Sequence, residues 1–214
     1  MSDRNIVWNP VFVEETTGGY NQIGLRSFCL SKGMINIIGD VDAAMAQSVN
    51  EQIMFCMSRN IDIDIILNSP GGEVISGLAM YDMIRIASQK VRVDIYCMGI
   101  AASMGAILLA AGEKDHRFIL PHSKVMVHEP LISGGLGGAA TTIQKTAESI
   151  LETKGVLNGI LAERTDKSIE EIDEATKFDN YMNAEEAIRF GIADKIVSME
   201  DFAAINSKIK QKRI

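Results

Sequence analysis

The sequence predicts a single α/β domain in which βαβ units surround a mainly parallel sheet. Segments with the two-residue period of a strand alternate along the chain with segments that have the apolar spacing of a helix. No internal repeat or low-complexity linker divides the 214 residues, and 47% of them are apolar. That length and composition are enough for one domain with a sizeable core.

The first βαβ unit is predicted from the strand-like segment 34–38, the helical pattern of residues 43–57 and the alternating segment 61–67. A second helix follows, because apolar residues recur there at helical spacing: Val74, Leu78, Tyr81 and Ile84. Residues 91–97 alternate again and predict the next strand.

The junction after this strand, residues 99–105, places one serine, Ser103, among residues that have almost no side chain. The all-apolar residues 106–111 behind it predict a buried helix. A strand-to-helix turn exposes such a hydroxyl, and the helix N-terminus stabilises a nearby oxyanion. Ser103 is therefore a candidate nucleophile, although small residues at this point also fit a helix that simply packs tightly.

The earlier junction, residues 68–72, has the sequence NSPGG. Adjacent glycines after a proline bring bare backbone N–H groups close to a ligand, which suits an oxyanion hole or a phosphate cradle. An ordinary tight turn is the alternative. The fingerprints G-x-G-x-x-G and G-x-x-x-x-G-K-[ST] are both absent from the sequence, so the phosphate cradle is the weaker functional interpretation.

A serine nucleophile needs a general base, and the chain has three histidines, His116, His122 and His128. His128 ends the apolar, strand-like residues 125–127, which places it at a strand terminus within reach of a neighbouring strand. A solvated or structural role is the alternative for any lone histidine. Spacing alone does not select an orienting carboxylate among the 28 acidic residues.

The longest helical pattern covers residues 141–164 and contains Gly155 and Gly159. This is long for a helix of an isolated domain. We therefore expect one end of it to be buried against another subunit. A bent helix of two segments, folded back on its own domain, is the alternative.

The composition of the chain argues against several classes of function. The net charge of −7 argues against a nucleic-acid partner, which requires clustered cations. The three cysteines form no C-x-x-C pair, so reduced thiols are expected. Residues 1–10 lack an apolar signal core, and no run of about 18 apolar residues occurs. We expect a cytoplasmic protein that does not bind a membrane.

Four motifs occur in the order that the proteolytic subunits of the ATP-dependent Clp protease (ClpP) share: NSPGG at 68–72, MGIAASMG at 98–105, MVHEP at 126–130 and NAEEA at 183–187. The chain resembles this family from about residue 35 to about residue 197. The resemblance implies an α/β spiral of βαβ units, as in ClpP and the crotonases, with a long protruding handle helix.

The resemblance also implies a division of the chain. Residues 1–33 would form an N-terminal segment and axial loop region, residues 34–197 the peptidase domain, and residues 198–214 a C-terminal tail. The handle helix would cover about residues 139–165.

The site residues follow from the same resemblance. It implies that Ser103 is the nucleophile, His128 the base and Asp179 the carboxylate that orients the histidine. It further implies that the backbone N–H groups of Gly72 and Met104 form the oxyanion hole. Extended segments on both sides would pair with the substrate main chain as added strands, namely Gly71, Gly72, Glu73 and Val74 on one side and Pro130, Leu131 and Ile132 on the other.

The implied activity is hydrolysis of peptide bonds in unfolded polypeptides, inside a chamber made of two stacked heptameric rings of this chain. An AAA+ ATPase unfoldase would feed the chamber and would be the component that uses ATP, so neither cofactor nor metal is expected. Two alternatives use the same fold: a catalytically silent ring subunit or scaffold, and an acyl-CoA hydratase or isomerase. The latter has no use for Ser103 and His128 in this arrangement, and a silent subunit has no reason to keep all three triad residues.

The chain departs from the family pattern at three places. The separation of His128 from Asp179, at 51 residues, is two longer than the resemblance implies. Phe178 stands where the family commonly has an arginine used in contacts between rings. Asp64, Ile66 and Ile86 stand where many members have aromatic residues in the docking pocket for the ATPase. We therefore expect a differently controlled double ring, and an altered docking pocket at these three residues.

Overall fold

The computed structural model describes residues 10–16, 19–131, 137–198 and 201, and every structural statement below concerns these residues. Its strands are β1 (Val11–Thr16), β2 (Gly19–Gly24), β3 (Met34–Ile38), β4 (Ile63–Ser69), β5 (Val93–Ala102), β6 (Arg117–Ile119), β7 (Lys124–Val127), β8 (Asn180–Met182) and β9 (Lys195–Ile196). Its helices are α1 (Leu25–Ser31), α2 (Ala43–Ser58), α3 (Val74–Ser88), α4 (Met104–Ala110), α5 (Ala140–Thr165), α6 (Ile169–Thr176) and α7 (Ala184–Phe190).

The main sheet is mostly parallel, as predicted. Strands β3, β4, β5, β6 and β9 are neighbours in that order and pair in parallel. Strand β7 also pairs in parallel with the C-terminal part of β5, and β8 pairs with β7 in the antiparallel direction. β1 and β2 form a separate antiparallel hairpin. The α/β class is therefore confirmed, with β3-α2-β4-α3-β5 as the predicted succession of βαβ units.

Strand β4 shows how the two-residue period builds the core. Ile63, Ile65 and Leu67 are fully buried, whereas Asp64 and Ile66 on the other face are half-buried. The buried face belongs to one hydrophobic cluster that also includes apolar residues of α2, α3 and α4. The helix α4 is buried at every position, because it lies between the sheet and α5.

The long helix α5 is continuous from Ala140 to Thr165. Its buried residues all lie in the C-terminal third: Leu157, Asn158, Leu161, Ala162 and Thr165. The part before Leu157 carries exposed apolar side chains, among them Ile143, Leu151 and Val156. The alternative of a bent helix folded back on the domain is therefore wrong, and the part before Leu157 extends away from the core.

Capping residues fix where the last two helices begin. Ser168 and Glu171 form a capping box at α6, and Asn183 and Glu186 form another at α7. The NAEEA motif at residues 183–187 is thus the start of a helix. Its position directly after β8 holds that short strand against β7.

Candidate active site

Ser103 occupies a strained turn between β5 and α4. Its backbone angles are φ 53° and ψ −120°, a region that non-glycine residues rarely adopt. Its N–H donates to the Met126 carbonyl at 2.9 Å, so the neighbouring strand β7 helps to hold the turn. A strained strand-to-helix turn of this kind projects the serine hydroxyl away from the sheet.

The NSPGG junction packs directly on this turn. The Asn68 Oδ1 atom accepts a hydrogen bond from the Ile100 N–H at 3.1 Å, and the Ser69 hydroxyl accepts one from the Gly71 N–H. A Cβ atom on Gly71 would lie 2.7 Å from the Cβ atom of Ser103, and Gly71 has a φ of +102°. Glycine is therefore required here both by its backbone conformation and by the close approach to Ser103.

His128 follows the last residue of β7, and the pairing of β7 with β5 brings it to Ser103. Ala102 is in register with Met126, so the residues just beyond each strand are neighbours. The His128 Nε2 atom lies 2.9 Å from the Ser103 Oγ atom, which is hydrogen-bond distance. The His128 side chain is 15% exposed. This arrangement allows the imidazole to accept the serine proton.

The pairing of β7 with β8 brings Asp179 beside His128. Val127 in β7 is in register with Asn180 in β8, which places the preceding Asp179 beside His128. The Asp179 Oδ1 atom lies 3.4 Å from His128 Nδ1, and the aspartate side chain is 59% exposed. The three residues predicted for catalysis therefore lie together, in the order serine, histidine, aspartate.

Gly72 and Met104 both line the same cavity as Ser103 and His128. Neither of their backbone N–H groups donates a hydrogen bond within the part of the chain that the structure describes. A Cβ atom on Gly72 would lie 2.2 Å from the Val41 carbonyl oxygen, so this position also requires glycine. The two N–H groups are thus free to bind an oxyanion beside the serine hydroxyl.

The cavity next to Ser103 has a volume of about 190 Å³. Four of the predicted substrate-binding residues line it, Gly72, Val74, Pro130 and Leu131. Apart from the site residues already named, its wall is completed by Ile107, Val127, Leu157, Asn158 and Leu161. Since the described part of this wall contains no carboxylate, lysine or arginine, it suits an uncharged, apolar side chain.

The remaining predicted substrate residues differ in their placement. Gly71 contacts Ser103 and does not line the cavity. The Glu73 carboxylate lies outside the cavity and accepts a hydrogen bond from the Ser76 hydroxyl at 2.7 Å. Ile132 lies outside the described residues.

The sequence analysis did not single out the wall that α5 supplies. Leu157 and Leu161 are one turn apart on that helix, and Asn158 is buried between α5 and α6. The sequence signal was present, because both leucines belong to the apolar stripe of the long helical pattern. Apolar spacing alone does not distinguish a position in the core from one that lines a cavity.

The three residues predicted for partner docking lie on different surfaces. Asp64 and Ile66 share the face of β4 that points away from the core. Ile86 lies on α3, which packs on the core through Met80 and Ile84, and its side chain is 47% exposed. One chain alone therefore does not bring all three residues into one pocket.

A second candidate nucleophile, Cys97, lies in β5 six residues before Ser103. It is fully buried, and burial raises the pKa of its thiol to about 12. At neutral pH this cysteine is therefore protonated, and a buried thiol of that kind is inert. Ser103 is the better nucleophile in this part of the molecule.

Neither a metal site nor a membrane span is found in the described residues. They contain no group of three or more histidine, cysteine, aspartate and glutamate side chains that could hold a metal ion. None of the described helices is both long enough and apolar enough to cross a bilayer.

Comparison with known proteins gives consistent matches. A family model described as Clp protease matches residues 18–200. The ATP-dependent Clp protease proteolytic subunit 2 of Chlamydia trachomatis serovar D is 44% identical over 191 residues, which cover 88% of this chain and 92% of the relative. The protein of the same name from serovar A matches with the same identity and coverage.

Proposed function

The chain belongs to the Clp protease family, and we propose that Ser103, His128 and Asp179 are the catalytic triad of this serine-type peptidase. The observation that carries the proposal is the 2.9 Å contact between Ser103 Oγ and His128 Nε2, beside the cavity that Val74, Leu157 and Leu161 help to line. Asp179 on the far side of the imidazole supports the assignment.

In the proposed reaction, His128 accepts the proton of the Ser103 hydroxyl while the oxygen attacks the peptide carbonyl carbon. The N–H groups of Gly72 and Met104 donate to the oxyanion that forms. Collapse of this intermediate releases the amine, which takes the proton from His128, and leaves an acyl-enzyme on Ser103. Water then hydrolyses the ester by the same steps, with Asp179 stabilising the imidazolium in both halves.

We propose that the substrate is an extended polypeptide. Residues 71–73 and 130–131 flank the serine, and main-chain pairing with them gives affinity without sequence selection. Val74, predicted to be part of the first extended segment, is instead the first residue of α3. The cavity then selects the side chain that precedes the cleaved bond. Its walls, Val74, Ile107, Leu157 and Leu161, favour an apolar side chain such as leucine or methionine.

We further propose that the chain assembles with copies of itself into two stacked heptameric rings. The exposed first part of α5 supports this, because Leu151 and Val156 are 65% and 51% exposed there. Phe178, 76% exposed beside Asp179, replaces an ion-pairing arginine with an apolar group. Such a contact between rings is not screened by salt, so the assembly is expected to survive high ionic strength.

An AAA+ ATPase unfoldase is the proposed partner that delivers substrate. Docking at the outer face of β4 would place an incoming loop beside Asp64 and Ile66. Asp64 favours a loop that carries lysine or arginine, and it disfavours a purely apolar loop. Because Ile86 lies on another surface, a pocket that includes all three residues would be shared between two adjacent subunits.

Covalent labelling tests the triad. The purified chain is incubated with a fluorophosphonate and the adduct is located by mass spectrometry. We expect one adduct, on Ser103, and none in the Ser103→Ala variant. An adduct on a different residue, or peptide hydrolysis without any adduct, would contradict the proposed triad. Absence of both adduct and hydrolysis would favour a silent subunit or a thioester enzyme.

A further inference from the structure

Lys154 forms an ionic bridge between the segments that carry His128 and Asp179. We propose that Lys154 is a positioning residue for peptide hydrolysis: from the long helix α5 it holds Glu129 and Asp173 together and thereby sets the distance between His128 and Asp179. This inference rests on the triad assigned under the proposed function. Lys154 touches neither the triad nor the substrate cavity.

On the histidine side, the bridge holds the residue that directly follows the base. The Lys154 Nζ atom lies 3.1 Å from Glu129 Oε2. The Glu129 main chain is held as well, because its N–H donates to the Thr176 carbonyl at 2.7 Å. Fixing both ends of Glu129 restricts the backbone of His128, and therefore the direction of its imidazole ring.

On the aspartate side, the bridge holds α6, the helix that precedes Asp179. Lys154 Nζ lies 3.8 Å from Asp173 Oδ1, and the same oxygen accepts a hydrogen bond from Asn158 Nδ2 at 2.6 Å. Helix α6 ends at Thr176, only three residues before Asp179. A shift of α6 therefore moves Asp179 relative to His128.

The charges explain why the lysine is needed. Glu129 and Asp173 both lie within 4 Å of the one ammonium group, so they are close to each other. The Lys154 ammonium group attracts both carboxylates and so holds the two segments together. Without this cation, the two carboxylates repel each other. The side chains are 26% to 50% exposed, so the bridge contributes little to overall stability.

Small displacements matter at this place because the His128 to Asp179 contact is already long, at 3.4 Å. A misplacement of about 1 Å in a catalytic group costs on the order of 10²-fold in rate. Loss of the bridge is therefore expected to lower kcat, with little change in KM, since none of the bridge side chains lines the substrate cavity.

The test compares kcat and KM for a short fluorogenic peptide with leucine before the cleaved bond. The variants are Lys154→Met, Lys154→Arg and the double variant K154M/E129Q. Lys114→Met is the matched control, because among the residues that the structure describes Lys114 pairs only with the exposed Asp166. Light scattering measures the assembly of each variant, and fluorophosphonate labelling checks the Ser103 adduct in each preparation.

We expect Lys154→Met to lower kcat by about tenfold or more, with KM within about twofold and the assembly unchanged. Lys154→Arg should keep kcat within about threefold of the wild type, because it retains the cation. The double variant should have a higher kcat than Lys154→Met, because the neutral amide that replaces the Glu129 carboxylate no longer repels Asp173.

The positioning role is overturned if Lys154→Met behaves as Lys114→Met, if the loss lies in KM, or if the loss only accompanies disassembly. It is also overturned if the double variant is no better than Lys154→Met. These results leave the triad standing as long as wild type is labelled at Ser103. Absence of that adduct in wild type instead refutes the proposed function itself.

Discussion

The two halves of the candidate site are built in different ways. Ser103 and the oxyanion donors lie on backbone that is fixed by glycine contacts, by α4 and by β5, and Met104 next to the serine is 1% exposed. His128 and Asp179 lie at the ends of the short strands β7 and β8, and the aspartate side chain is 59% exposed. The nucleophile half depends on local backbone, and the base half depends on side-chain contacts with α5 and α6.

This difference has a consequence for regulation. Backbone held by buried contacts has one conformation, because any shift would open voids or create clashes. Exposed side chains held by ion pairs shift at little cost. We therefore expect changes in α5, the helix proposed to contact other subunits, to reach the reaction through His128 and Asp179 and not through Ser103.

The largest effect is expected from a substitution in the nucleophile half, where the packing around Ser103 leaves no space for an added side chain. Gly71→Ala places a Cβ atom 2.7 Å from the Ser103 Cβ atom, at a backbone with φ +102°. The same Cβ atom lies 3.0 Å from the Met104 N atom, so it displaces both the serine and a proposed oxyanion donor. Since each such misplacement costs on the order of 10²-fold in rate, we expect kcat/KM for the peptide to fall by more than about 10³-fold, and thermal unfolding to occur at a lower temperature.

Gly137→Ala is the control for this variant, because a Cβ atom there meets no atom within 4 Å and its φ is not positive. The control should keep both activity and stability. A Gly71→Ala protein as active as this control would mean that the serine turn is not rigid.

A large but smaller effect is expected in the base half. Asp179→Asn keeps the shape but loses the charge that holds the imidazole in one tautomer. Because the Asp179 to His128 distance is 3.4 Å and the carboxylate is exposed, we expect a loss of about 10² to 10³ in kcat, less than a fully buried aspartate would give.

Peptide kinetics on Glu174→Gln give the comparison for this loss, since Glu174 is an exposed acid, five residues earlier in the chain, whose ion pair is with Lys177 and not with His128. We expect that variant to lose much less. If Asp179→Asn were as active as wild type, another acid would have to orient His128.

The smallest effect concerns stability in acid. Burial by itself would raise the pKa of Glu113, but hydrogen bonds and charge from Arg85 and Arg164 outweigh it and hold that pKa below its ordinary value. The stability from this cluster is present above the unfolded-state pKa, and it is lost as the pH falls through the folded-state pKa.

Urea unfolding at several pH values between about 6 and 3 measures this contribution. The free energy of unfolding of wild type should fall more steeply on acidification than that of Glu113→Gln. Parallel curves would show that the arginines do not stabilise the Glu113 carboxylate. Catalytic activity at neutral pH should be unchanged, because the cluster lies outside the cavity.

The sequence predicted the nucleophile half better than the base half, for a physical reason. The strands and helices around Ser103 have periods long enough to recognise, and the small residues 99–105 stand out between them. Strand β8 has three residues and shows no period, so nothing in the pattern placed Asp179 beside His128. Resemblance to a family, and not spacing, selected that carboxylate.

Strand β5 shows where alternation misleads. Asp94 and Tyr96 occupy polar positions of the alternating pattern, yet they are 4% and 5% exposed. Asp94 is buried because His116 and Arg92 pair with its carboxylate, and Tyr96 because its ring stacks on Phe118. His116 and Phe118 each lie 22 residues beyond their partners in the chain, and a local period does not report such contacts.

The central claim, that Ser103 and His128 act as one unit, is tested most directly by a double-mutant cycle. Peptide hydrolysis is measured for Ser103→Ala, His128→Ala and the double variant, with assembly checked by light scattering. The account predicts that each single variant loses at least about 10³-fold in kcat and that the double variant is no worse than the single ones. Losses that multiply, or a Ser103→Ala protein that retains activity, would contradict it.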